Sequence, residues 1–162
     1  ELGIEAMVAN VFSDTLTDNI ELNDMGYLMA LTGNSEINEY AINKLGAQFG
    51  ENGAFRLVSS DEMNDPEKNP EEGLFSHTDD YIKMMEATRR YPAIHEIDLK
   101  DGKHFSQLID ISNEDDEIIP LFIKAPDGKL EIISSFSGKF NSITEGYKLA
   151  YLGKMFDMDK IL

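Results

Sequence analysis

The chain has 162 residues, and 41% of them are hydrophobic, which is enough apolar side chain for a folded core. It contains 14 Lys and Arg against 31 Asp and Glu, a formal net charge of -17. A chain this acidic repels phosphate backbones, which excludes nucleic acid as a partner bound through a broad basic face. The chain has no Cys, which excludes disulfides, thiolate metal sites and Cys nucleophiles.

The chain carries no apolar run long enough to cross a membrane. The longest stretch, 118–123, is far shorter than the roughly 20 residues that a spanning helix needs. The first residue is Glu1 rather than Met, and no basic start or apolar run follows it as in a secretory signal. We therefore expect the chain to be a piece of a longer protein.

The first third alternates short apolar runs with helical patterns. Residues 6–11 (AMVANV) predict a buried strand, and Ser13 predicts the N-cap of a short helix. Residues 27–31 (YLMAL) form a second continuous apolar run, which is typical of a strand covered on both faces.

The clearest predicted element is the helix that follows. Asn34 can cap it, and Ile37, Ala41, Leu45 and Phe49 recur at helical spacing. Residues 54–58 (AFRLV) then predict a third strand. A β-α-β-α-β order over residues 6–58 favours parallel strands joined by crossover helices.

The middle of the chain changes character. Residues 60–73 are acidic and interrupted by prolines, which predicts a solvated loop or an interdomain linker. Residues 78–91 predict a helix with Thr78 as its N-cap and Pro92 as its terminator.

The last part of the chain predicts a compact α+β module of about 60 residues, near the lower limit for independent stability. Residues 94–99 alternate between apolar and polar side chains and predict a half-exposed strand. Phe105, Leu108 and Ile109 suit a short helix. Further strands are predicted at 117–124, at 130–134 after a turn at 126–129, and at 147–152.

The sequence offers no motif for catalysis or metal binding. His77, His95 and His104 share neither HxH nor HxxxH spacing, and the acidic runs lack the alternation of a calcium loop. GxSxG, GxxxxGK[ST] and GxGxxG are absent. We therefore predict no catalytic residues, no metal site and no enzymatic activity.

The most site-like segment is 32–38 (TGNSEIN), which follows one predicted strand and opens the next helix. Ligands of open α/β sheets bind at the carboxyl ends of strands, and helix N-termini attract anions. Thr32 and Asn34 are therefore candidate ligand-binding residues, together with Asn10 at the end of the preceding predicted strand. The alternative for these residues is ordinary capping and turn chemistry.

Short motifs at both ends of the chain resemble one family. Residues 26–38 (GYLMALTGNSEIN), with Ala41 and Phe49-Gly50, resemble the latter half of the TrkA-type, or regulator-of-potassium-conductance, nucleotide-binding domains of bacterial cation transport systems. The sequence pattern most resembles the versions of this domain that are fused to sodium (or potassium):proton antiporters. Three further motifs resemble the companion C-terminal module of the family: PLFI at 120–123, DGK at 127–129 and EGYKLAYL at 145–152. Tyr147 stands where that module usually has Asp.

The resemblance implies a fold that is α/β plus α+β, with a partial Rossmann-like parallel sheet followed by a small TrkA-C-like module. It divides the chain into half of a Rossmann-like domain at 1–75, a connecting helix at 76–92, the small module at 93–154 and a tail at 155–162.

The resemblance also implies a function, that of a regulatory domain on the cytoplasmic face of the inner membrane. Such a domain would modulate a monovalent cation:proton antiporter through ligand binding and rearrangement of a homodimer, with the membrane transport domain of the same polypeptide as its partner. The family's Gly-rich turn and ribose-binding acid would lie before Glu1. We therefore expect any nucleotide to bind the full-length protein and none to bind this fragment. By matching positions, Asn10 would lie near the base or ribose, and Thr32 and Asn34 near the nucleotide edge.

Two other hypotheses about the function of the chain remain open. One is a truncated nucleotide-dependent oxidoreductase-like enzyme. The other is a partner-docking module whose acidic surface meets a basic juxtamembrane segment.

Overall fold

The structure is a computed structural model, and it describes residues 6–16, 26–49, 53–63, 65, 73–75, 80–134 and 142–157. These residues form a mixed α/β fold with one parallel pair of strands and one antiparallel sheet of four strands. The elements are β1 Leu28–Ala30, α1 Ser35–Leu45, a 3-10 helix Gly46–Phe49, β2 Ala54–Arg56, α2 Ser60–Met63, α3 Tyr81–Arg90, β3 Ile94–Asp98, α4 Gly102–Glu114, β4 Ile118–Lys124, β5 Leu130–Ile132 and β6 Lys148–Gly153.

The predicted crossover between parallel strands is confirmed for β1 and β2. The two strands pair in parallel register, with Leu28 opposite Ala54, and α1 connects them. The helix begins where the sequence predicts, because the Asn34 side chain accepts a hydrogen bond from the Ile37 N–H at 3.1 Å. Packing of α1 against both strands therefore builds one β-α-β unit.

The prediction that residues 27–31 are covered on both faces is wrong. Ala30 is buried, but Tyr27, Met29 and Leu31 are each more than a third exposed. Side chains alternate across a strand, so the burial of Ala30 covers one face of β1 and leaves the other partly open. A continuous apolar run does not by itself tell these two cases apart.

The predicted strand at 6–11 is also wrong. None of these residues is in a strand, and Val8 is fully exposed. The Asn10 side chain instead accepts the Phe12 N–H at 3.0 Å, and the Ser13 N–H donates to the Asn10 carbonyl. Local bonds of this kind compete with a strand ladder and turn the chain. Lys44 ties this part of the chain to the last turn of α1, because its ammonium donates to the carbonyls of Val11 and Ser13.

The helix predicted after Ser13 is a single turn as far as Leu16, and residues 17–20 lie outside the described ranges. Within the predicted loop at 60–73, the short helix α2 forms instead of open chain. The helix α3 begins later than predicted, with Asp80 rather than Thr78 as its N-cap, and Thr78 lies outside the described ranges.

The antiparallel sheet has the order β3-β6-β4-β5, and its four strands lie where the sequence predicts them. The alternating exposure of β3 confirms the predicted half-exposed strand. The helix α4 is longer than predicted, because Asp101 caps its start by accepting the His104 N–H at 2.8 Å.

Each face of the antiparallel sheet packs against its own helix. On one face, α4 contributes Phe105 and Leu108 to a buried apolar cluster with residues of β4 and β6. On the other face, Ala87 of α3 joins a second cluster that also includes Leu57 and Leu74. Leu57 directly follows β2, so the second cluster connects the parallel unit with the antiparallel sheet. The domain boundaries that the resemblance implies remain predictions.

Among the described residues, no helix is both long enough and apolar enough to cross a membrane.

Candidate functional site

A cavity of about 90 Å³ lies at the carboxyl ends of β1 and β2. Four segments form its wall: the turn between β1 and α1, the beginning of α1, the residues that follow β2, and the start of α3. The lining residues are Thr32, Gly33, Ser35, Asn38, Leu57, Val58, Ser59, Asp80, Tyr81 and Ile82.

The buried amide of Asn38 holds two sides of the cavity together. Its Nδ2 donates to the carbonyl of Thr32 at 2.9 Å and to the carbonyl of Leu57 at 3.2 Å. Its Oδ1 accepts the Thr32 N–H at 3.0 Å and the Thr32 hydroxyl at 2.6 Å. The side chain is 1% exposed. A buried amide with both of its ends satisfied fixes the ends of β1 and β2 relative to each other.

Sequence analysis missed Asn38, although a signal exists. Asn38, Ala41 and Leu45 are the buried residues of α1, and they share one helical face. A polar residue on an otherwise apolar face indicates a buried hydrogen-bonding role.

The structure brings two of the three predicted site residues together. Thr32 lines the cavity, and its hydroxyl contacts the backbone of Asn34 through bonds of 3.2 and 3.3 Å. Asn34 caps α1 and does not line the cavity. Asn10 lies in the segment tied to the opposite end of α1. Ligand binding by these three residues remains a prediction.

Behind the cavity, Glu62 joins the start of α2 to the end of β2. Its carboxylate accepts the Ser59 N–H and hydroxyl at 3.0 Å each, and the Glu62 N–H donates back to the Ser59 hydroxyl at 3.3 Å. This reciprocal arrangement is a capping box, and the Ser-x-x-Glu pattern at 59–62 could have predicted it. Arg56 Nη1 lies 2.9 Å from Glu62 Oε1, and both side chains are largely buried.

The surroundings of Glu62 keep it ionised. Burial alone would raise its pKa, but the Ser59 N–H, the Ser35 hydroxyl and the Arg56 guanidinium outweigh burial and lower the pKa to about 2. Two of the cavity's hydroxyl groups, those of Ser35 and Ser59, are therefore oriented by a carboxylate whose charge is compensated by Arg56.

Asp80 supplies the carboxylate in the cavity wall. It accepts the Lys83 N–H at 2.9 Å as the N-cap of α3, and it accepts the Ser60 hydroxyl from the start of α2. Burial opposes ionisation of Asp80, but the Ser60 hydroxyl and the backbone N–H groups lower its pKa below the ordinary value. Asp80 is therefore a negative charge at neutral pH.

Tyr81 packs tightly against the turn between β1 and α1. A methyl group added at Gly33 would lie 3.0 Å from Tyr81 Cδ1. Glycine at position 33 therefore lets the aromatic ring of α3 close onto the parallel unit beside the cavity.

Among the described residues, the cavity wall contains the hydroxyl groups of Thr32, Ser35 and Ser59, the Asp80 carboxylate and several apolar side chains. No group of three or more His, Asp or Glu side chains suited to a metal ion occurs in the described part of the chain. The arrangement is suited to binding a small polar or charged ligand. Comparison of the chain with protein-family models, with curated proteins and with solved structures finds no match.

Proposed function

We propose that the chain is a regulatory domain of a monovalent cation:proton antiporter and acts by binding a ligand rather than by catalysis. The observation that carries the proposal is the cavity with hydroxyl and carboxylate groups in its wall, at the carboxyl ends of the parallel strands β1 and β2. Open α/β sheets bind ligands at this position, because side chains of the following turns converge there. The motif resemblance at 26–38 agrees with this location.

The composition of the cavity wall gives a route for regulation. Thr32 and Ser59 belong to the parallel unit, whereas Asp80, Tyr81 and Ile82 belong to the start of α3. Further along α3, Ala87 packs on the antiparallel sheet. A ligand that binds one arrangement of these segments more tightly would increase its population and so bias any domain attached to the chain.

In this proposal, the parallel unit is part of a Rossmann-like domain and the antiparallel sheet is a TrkA-C-like module. The membrane transport domain of the same polypeptide is the partner, and two copies of the chain form a dimer at the cytoplasmic face of the inner membrane. Because the 162 residues contain neither GxGxxG nor GxxxxGK[ST], we do not expect the chain by itself to bind a nucleotide.

The test begins with the reading frame that encodes the chain. We expect it to encode several segments of about 20 apolar residues before Glu1. Everted vesicles from cells that express the complete frame, or the frame without residues 1–162, are then compared for cation-driven proton exchange. We expect exchange to persist without the chain but to change its dependence on cation concentration. A frame with no apolar segments, or identical cation dependence in both vesicle types, contradicts the proposal.

A further inference from the structure

The cavity also indicates the class of ligand, an inference that rests on the proposed function. We propose that it binds a monovalent alkali-metal cation, with oxygen atoms of Thr32 and Ser59 as ligands and the Asp80 carboxylate as counter-charge. The cation would join the parallel unit to the start of α3, because these three residues come from the two sides of the cavity wall.

The size of the cavity suits a small ligand. Its volume of about 90 Å³ corresponds to the share of roughly three water molecules in the liquid, at about 30 Å³ each. An alkali-metal cation with part of its hydration shell fits this space.

The charge of the cavity favours a cation. Glu62 is compensated by Arg56 at 2.9 Å, whereas the hydrogen bonds to Asp80 in the described part of the chain come from neutral donors, the Ser60 hydroxyl and the Lys83 N–H. The Lys83 ammonium forms its ion pair with Asp116, at 2.8 Å, and acts on Asp80 only through its charge, which helps to lower the Asp80 pKa. One negative charge in a partly enclosed wall attracts a cation and repels phosphate.

The starts of α1 and α3 do not reverse this preference. A helix N-terminus can bind an anion through its free N–H groups. Here the Asn34 side chain already accepts the Ile37 N–H, and the Asp80 carboxylate already accepts the Lys83 N–H. At α3, a side-chain carboxylate occupies the position that a bound anion would take.

The oxygen groups favour a monovalent over a divalent cation. Calcium sites combine several carboxylates, but within the described ranges Asp80 supplies the only carboxylate that lines this cavity. Hydroxyl and carbonyl oxygens can replace the hydration shell of an alkali-metal cation without adding charge.

The experiment measures thermal unfolding of the purified 162-residue chain in KCl, NaCl or choline chloride at equal ionic strength up to about 0.15 M, because choline is too large for the cavity. We expect Tm to rise with the concentration of K⁺ or Na⁺, by about 3–6 °C at a cation concentration of roughly ten times Kd, and not to rise with choline. Asp80→Asn should abolish the rise, since Asn still caps α3 but carries no charge. Asp110→Asn makes the same charge change at an exposed position on α4, outside the cavity wall, and should keep the rise.

Sodium-23 NMR provides a second measurement that needs no variant. Excess protein should broaden the sodium line, and added KCl should narrow it again by competition. Equal Tm values in all three salts together with an unchanged sodium line, or a rise that persists in Asp80→Asn, would overturn the cation assignment. A rise in Tm with inorganic phosphate that depends on Asp80 would also overturn it.

The two proposals fail separately. If the salts have no specific effect but removal of residues 1–162 alters transport, the regulatory function stands and the cation assignment falls. If the cation binds but removal leaves transport unchanged, the cation site stands and the regulatory function falls.

Discussion

The antiparallel sheet and the parallel strand pair differ in what holds them together. The antiparallel sheet lies between two apolar clusters, one on each face. The parallel pair is only three residues long in each strand and depends on buried polar contacts, those of Asn38 and of the Arg56–Glu62 pair. Apolar packing tolerates no cavity without loss of stability, whereas a polar framework can surround a cavity and still satisfy its own groups. The candidate site accordingly lies in the polar part.

The largest expected effect comes from the apolar part. Leu108 is fully buried between α4 and the sheet, and Leu108→Ala should lower the free energy of unfolding by about 2–5 kcal/mol. Leu130→Ala, at a position that is 43% exposed, serves as the control and should cost less than about 1 kcal/mol. Urea denaturation of the three proteins measures the difference. Equal losses for both variants would mean that the cluster around Leu108 is not the main source of stability.

The next prediction tests the polar part. Asn38→Ala leaves the carbonyl of Leu57 and both backbone groups of Thr32 without their side-chain partner, and should cost about 2–3 kcal/mol. The exposed Asn43 lies on the same helix, and Asn43→Ala should change stability by less than about 0.5 kcal/mol. In Asn38→Ala, the rate of amide hydrogen exchange should increase in β1 and α1 but not in β4. An increase spread evenly over the chain would contradict the distinction between the two parts.

A smaller effect is expected from pH. The pKa of Glu62 is lowered to about 2 in the folded chain, from 4.5, so the folded state favours the ionised form and Glu62 stabilises the fold above pH 4.5. This contribution, of order 2 kcal/mol, is lost as the pH falls from 4.5 towards 2. Denaturant unfolding of the wild type and of Glu62→Gln should therefore differ at pH 6 and converge near pH 2. A constant difference across this range would show that the Glu62 charge is not responsible.

The smallest effect concerns His104 on α4. This imidazole is 5% exposed, its Nδ1 accepts the Lys100 N–H at 3.3 Å, and its buried Nε2 has no hydrogen-bond partner among the described residues. Burial, and then the nearby Lys100 charge, lower its pKa despite Asp101. The unfolded chain therefore binds a proton first, and stability should decrease as the pH falls below about 6.5.

The test of this last prediction compares stability at pH 8 and pH 5.5. His104→Gln should show a shallower decrease than the wild type, by up to about 1 kcal/mol. A decrease of the same size in both proteins would assign the pH dependence to other groups.

Local chemistry made several elements predictable. Asn34 caps α1 because a side-chain oxygen three residues before an N–H can reach it in any context. The alternation in β3 likewise follows from the two-residue period of a strand. The Ser59–Glu62 capping box was equally readable in the sequence, but the acidic and proline-rich composition of the region favoured a loop instead.

Other features depended on contacts between distant segments. The apolar runs at 6–11 and 27–31 predicted buried strands, yet the first run forms turns and the second has one partly open face. For the candidate site, Thr32 was predicted from its position after a strand, but Asp80 was not, because nothing near it in the chain indicates that α3 starts beside that strand.

The amino-acid sequence by itself determined the acidity of the chain, the start of α1, the positions of the antiparallel strands and the parallel crossover, because charge, caps and side-chain periods act between near neighbours. The tertiary structure alone decided the sheet order, the burial of Asn38 and the meeting of Thr32, Ser59 and Asp80 around one cavity. These features depend on which surfaces pack together, and burial changes the energy of a polar group only after that packing has removed its water.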